Sequence, residues 1–220
     1  MSSATSTSRA VPLSATTGES VVTTARRNRL GIWLCIVSDA TGTIALLVSY
    51  AYLWSLNVNS AWAPPKDAWA DALPFWLIFA GVVLAAVTMW WGVRGIKRGH
   101  RARLVVASAL ATLIVLVTFV GQIVQLSTFP FGISDGAYAS ATFWLALGTA
   151  LHLSVVLFLT MAIMNRARAG LLTSDNHSHA RLVAMWMTWV CVAVFFGALF
   201  ATTMTVSPNT GSPTFGVFTG

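Results

Sequence analysis

Charge is what this chain has least of. Only 9% of its 220 residues are Asp, Glu, Lys or Arg, against about 25% in an ordinary soluble domain. Hydrophobic residues make up 56% and the mean hydropathy is +0.75, which excludes a soluble fold and requires an integral membrane protein. Cysteine is nearly absent too. Cys35 and Cys191 both fall inside apolar runs without metal-ligand spacing, so they read as small core residues rather than a disulfide or metal framework. Of four histidines, His152 alone lies inside an apolar run. One imidazole is too few donors for a transition metal and cannot make a bis-histidine haem site. The chain also lacks a phosphate loop, Cys-x-x-Cys, HExxH and any plausible Ser/His/Asp set. By itself it therefore has no parts for redox chemistry or hydrolysis.

What is present is length and apolarity. Five stretches are each long enough to cross about 30 Å of hydrocarbon as a helix: Gly31–Trp54, Leu73–Val93, Leu104–Leu126, Ala139–Asn165 and Leu182–Val206. In lipid a helix satisfies its own backbone, whereas an open sheet does not. The expected fold class is an all-α integral membrane protein, a bundle of five transmembrane helices. The net charge of +7 would point to nucleic acid in a soluble protein, but here the basic residues sit at span ends and nucleic acid is not expected. Twelve of thirteen Lys and Arg fall on one side when five spans alternate; only Lys66 falls on the other. The bias predicts an N-terminus inside and a C-terminus outside.

Residues 1–29, rich in Ser, Thr and Ala, are expected to be a disordered tail. A mitochondrial transit peptide shares their Arg and Ser content, but a cytosolic tail keeping Arg26, Arg27 and Arg29 on the inner face is preferred. Residues 30–206 form the membrane domain, and 207–220, rich in Thr, Gly and Pro, an extended tail. Asn57–Ala72, with Trp62, Pro64, Pro65 and Trp69, suits a turn at headgroup level, and Ser127–Tyr138 a second loop.

Asp39 is the only acid within a span. A charged residue at mid-membrane is unfavourable by about 2.5–3.5 kcal/mol on insertion scales, so it faces protein or water and often marks function. Two readings stand: a proton-exchanging carboxylate, or a carboxyl hydrogen-bonded to a neighbouring helix. His152 is a candidate partner. Counted from the inner span ends, Asp39 lies ~12 Å deep and His152 ~21 Å, so direct contact requires tilt or a water. Gln122 and Gln125, three apart, share one face of the third span and suit a polar seam or a bond between two helices. Arg94, Lys97, Arg98, Arg101 and Arg103 are candidates for anionic lipid headgroups, with topology alone as the simpler explanation. His177 and His179 beside Asp175 read as a solvated loop rather than a metal site. Trp76, Trp90, Trp91, Trp144, Trp186 and Trp189 read mainly as interfacial anchors.

Several blocks in order give the chain a family likeness. Leu30-Gly31 and Ser38-Asp39, the Trp62-Ala63-Pro64-Pro65 loop, Gln122, the run Ile133-Ser134-Asp135-Gly136-Ala137-Tyr138-Ala139-Ser140, His152 fourteen residues after that Tyr, and Trp186 carry it. Over Leu30 to Met204 the sequence resembles subunit III of the haem-copper cytochrome c and quinol oxidases, in a five-span form. It departs where Asp39 replaces a Glu, Thr149 the first His of a pair, Gln125-Leu126 a Glu-Tyr, and Met187 and Val190 a His and an Asp.

The resemblance implies a helical accessory subunit that binds no cofactor of its own. It would pack on catalytic subunit I, with subunit II in the same complex and haem and copper in those partners. Family members hold phospholipid in a cleft between helix groups, protect the catalytic subunit during turnover and support proton uptake. The Glu at the Asp39 position is carbodiimide-reactive and lies by that cleft. The implied location is a bacterial plasma membrane, with the mitochondrial inner membrane as the lesser option. Two alternatives stay open: a relative serving a nitric oxide reductase, and a small transporter or channel using Asp39 and the Gln122/Gln125 face.

Overall fold

The computed structural model describes residues 18–209 except 65 and 67. Five long helices carry nearly all the regular structure: α1 Val21–Leu56, α2 Ala72–Lys97, α3 Arg101–Ser127, α4 Ala137–Arg168 and α5 Ser178–Thr203. All five are long and apolar enough to cross a membrane. α1 starts well before the apolar stretch. Ser20 caps it by accepting the Thr23 amide at 3.1 Å, and nothing in Val21–Arg29 breaks a helix, so the turn-by-turn bonding runs on through the three arginines. The expected tail is thus helical from Val21. Residues 1–17 of that tail, and 210–220 of the C-terminal one, lie outside the described residues.

α2, α3, α4 and α5 form a four-helix ring, each packed on its two neighbours, and α1 lies outside it against α4 and α5. The ring is closed by small side chains. Ala85, Ala107, Ala111, Ala180 and Ala184 are fully buried, and a Cβ on Gly92 would come within 2.6 Å of the Ala107 methyl. In lipid, where apolar surface gives no drive for association, such close van der Waals contact is what binds helices. α1 and α4 run antiparallel, since Asp39 meets His152 while Tyr50 meets Thr142. α1 and α5 run parallel, from Asp39–Trp189 to Trp54–Val206. Of the Lys and Arg among the described residues, only Lys66 lies away from the end holding the α1 N-terminus; that end is called basic below.

The opposite end is held by aromatics. Tyr50, Trp62 and Tyr138 are almost fully buried and meet edge to face, with centroids 5.2–6.5 Å apart. Trp62 is 1% exposed, so its ring plugs this end of the bundle. Three polar links fix it. Its indole N–H donates to the Thr205 carbonyl at 2.7 Å, and the first free amides of α4, from Ala137 and Tyr138, donate to the carbonyls of Ala61 and Trp62. Gly136 makes this docking possible: its φ of +116° is unfavourable for any side chain, and a Cβ would sit 3.2 Å from the Ala61 oxygen. The segment after α5 then crosses the end of α1. Trp54 donates to the Val206 carbonyl, Ser207 to the Trp54 carbonyl, and Asn57 and Asn209 exchange bonds with the Asn209 and Ser55 carbonyls.

Candidate functional site within the membrane

The long α1 changes the depth of Asp39. Eighteen residues separate it from Val21, ~27 Å of helix, and sixteen separate His152 from Arg168, ~24 Å. The two therefore sit level, and no intervening water is needed. His152 Nε2 lies 2.8 Å from Asp39 Oδ2, and the Trp189 indole N–H donates to the same oxygen at 2.6 Å. Three helices, α1, α4 and α5, thus meet on one carboxyl oxygen. The side chains of His152 and Asp39 are 15% and 30% exposed, so the pair sits in the groove where α1 lies on the ring. Oδ1 has no hydrogen-bond partner among the described residues. The Trp186 ring also neighbours His152, tilted 50° to it with 6.4 Å between centroids. Chemically this brings an imidazole nitrogen and an indole N–H within hydrogen-bond distance of one carboxyl oxygen.

Trp189 was legible only as an interfacial anchor, yet it belongs to this site. The available signal was its place: eleven residues into α5, ~17 Å from the start, too deep for a headgroup anchor. Trp144 does lie exposed, as an anchor would. Gln122 and Gln125 share a face as expected, but they bond to each other, Nε2 to Oε1 at 3.2 Å, along α3 rather than across two helices. Both are buried, and Gln125 Nε2 has no hydrogen-bond partner among the described residues. Thr149, where the resemblance has a first histidine, faces a cavity of about 30 Å³ beside His152 and a smaller one of about 10 Å³ that reaches Gln122.

The basic cluster divides. Arg101 is spent on the protein: its guanidinium donates to the Ala167 and Arg168 carbonyls at 2.9 and 2.6 Å, closing the end of α4. Arg103 stacks over the Trp91 ring at 4.4 Å. Arg94, Lys97 and Arg98 are exposed. Other basic residues line a groove of about 240 Å³ between α1 and the start of α5: Arg26, Arg29 and Arg181, with apolar walls from Val22, Leu182 and Met185. No ion pair engages those three arginines among the described residues, whereas Arg27 pairs with Glu19 at 2.9 Å. His177 and Asp175 border the same groove, and His177 Nδ1 lies 2.6 Å from the Ser174 carbonyl.

Five apolar helices with a single acid bonded where three of them meet define a polytopic membrane subunit built around an intramembrane polar contact. The chain belongs to the cytochrome c oxidase subunit III family, whose family model matches residues 7–206. It is accordingly a multi-pass membrane component of the respiratory chain, associated with other subunits of a haem-copper oxidase. No curated protein matches the chain.

Proposed function

We propose that this chain is an accessory subunit of a haem-copper terminal oxidase that carries no redox centre of its own. It packs on catalytic subunit I beside subunit II, and haem and copper reside in those partners. It sits in a bacterial plasma membrane with the basic end inside, as the charge bias favours. Its contributions are ordered phospholipid and one titratable carboxyl that supports proton uptake and a long catalytic lifetime.

The observation that carries this reading is the Asp39 contact. An acid kept in a membrane span, partly open to its surroundings and bonded to His152 at 2.8 Å and Trp189 at 2.6 Å, retains a proton-exchanging group where a neutral side chain would insert more easily. Lipid holding is supported by the groove at Arg26, Arg29 and Arg181, which joins three arginines without an ion pair among the described residues, and one acid, Asp175, to apolar walls of the kind an anionic headgroup and its chains require.

Asp39→Asn in the assembled oxidase is the test. The Asn oxygen still accepts from His152 and Trp189, so the helix contact survives while the titratable group is lost. Proton-coupled turnover or the number of turnovers before inactivation should fall while assembly stays as in the natural complex. Unchanged rate, lifetime and assembly would remove the carboxyl from the function.

A further inference from the structure

We infer that the Asp39–His152 pair is one end of a water-filled polar seam that runs through the α4/α5 interface to Gln122 and Gln125 on α3. The first cavity, about 30 Å³, borders His152, Thr149 and Thr43; the second, about 10 Å³, borders Thr149 and Gln122. Thr149, Leu145 and Gly197 line both, so the two adjoin. A cavity of roughly 10–15 Å³ on this scale takes one water, provided that two or more polar groups hold it. The first has room for about two, and three polar side chains to bind them. At the far end Gln122 is 1% exposed; Gln125, bonded to it just beyond the second cavity, is 5% exposed, and its amide nitrogen has no hydrogen-bond partner among the described residues. That buried donor requires an acceptor, which the described residues do not supply.

Two glycines point the same way. Gly148 and Gly197 lie inside helices α4 and α5 and line the first cavity. Glycine within a helix is unfavourable by roughly 0.5–1 kcal/mol relative to alanine. At Gly92 close packing explains it. At Gly148 and Gly197 a Cβ would meet no atom within 4 Å. Their missing side chains serve no helix contact; they keep the space between His152 and Gln122 open. The seam rises from the middle of the bundle toward the end opposite the basic one, since Gln125 lies in the last turn of α3. Proton exchange at the carboxyl–imidazole pair then runs along the waters of the seam. The proposal deepens the reading of Asp39 and rests on its being a proton-exchanging group.

The test fills the seam without straining it. Gly197→Ala and Gly148→Ala put methyls into the first cavity; both should fold at least as well as the natural chain, alanine being the better helix former. Thr149→Val removes the shared hydroxyl at constant volume, and Gly197→Ser returns a polar group to the filled position. The measurement is infrared-detected hydrogen–deuterium exchange of the Asp39 carboxyl and His152 ring in the intact oxidase moved into D2O, with Asp39→Asn used to assign the bands. Exchange should slow at least about tenfold in Gly197→Ala and Thr149→Val and recover in Gly197→Ser. A high-resolution map of the natural complex should show ordered water between His152 and Gln122. Exchange unaltered by all three cavity variants, or a map with no density there, would overturn the seam. The turnover test of Asp39→Asn is a separate readout: turnover sensitive to Asp39 with exchange blind to Gly197 rejects the seam alone, and the converse rejects the functional reading of the carboxyl.

Discussion

Helices α1 and α5 run side by side, parallel and similarly apolar. Yet 44% of the most apolar stretch is buried in α5 and 6% in α1. Hydropathy therefore inserts both helices but does not decide which is inside, because in lipid an apolar face gains nothing by meeting another. α5 is held by close contact along an Ala-, Val- and Met-rich face, including Ala180, Ala184, Met187, Val190 and Val194. α1 is held by directional bonds at separate levels: Asp39 at mid-depth, the Tyr50 hydroxyl 3.4 Å from Thr142 higher up, and the strap over Trp54 and Ser55 at its end. Diffuse packing fails gradually, while a few bonds fail one at a time.

Three variants set these modes against each other. Trp62→Ala should have the largest effect. It empties a fully buried site where the two modes join and should destabilise the subunit by about 3–5 kcal/mol, read as a lower melting temperature in detergent and poor assembly. Thermal stability equal to the natural protein's would mean that the aromatic plug does not join α1 to the ring. Trp189→Phe removes one bond to Asp39 and leaves the α5 face intact. A loss of about 0.6 kcal/mol is expected, non-additive with His152→Ala in a double-mutant cycle; strict additivity would show that Trp189 and His152 do not meet on one oxygen. Asn209→Ala, which cuts the strap at its outermost bond, should lose only about 0.5 kcal/mol and show mainly as faster amide exchange in the last turn of α1.

Much of the fold was legible because membrane physics is blunt. Span length and the Lys/Arg bias each give five helices, and the structure has five helices of that kind. Asp39 stood out because it is the only acid in a span, and the Gln122/Gln125 face followed from a spacing of three. The failures share a cause. Contact between Asp39 and His152 was expected to need tilt or a water because levels were counted from Gly31, whereas α1 begins at Ser20's cap in polar sequence and the two groups bond directly. Trp62 and Trp189 were read from residue type alone, and an indole serves equally as an anchor, a core plug or an N–H donor. Only the tertiary arrangement separates those uses. The strap could not be read at all, since its bonds mostly end on backbone carbonyls, which every residue has.

The position of α1 has a consequence for how the subunit is made. α1 touches neither α2 nor α3; its helix partners are α4 and α5, and its far end is tied by residues 205–209. Synthesis therefore delivers α1 before either of its helix partners. Within this chain Asp39 gains its first bond only when α4 brings His152, its second when α5 brings Trp189, and the strap is tied last of the three.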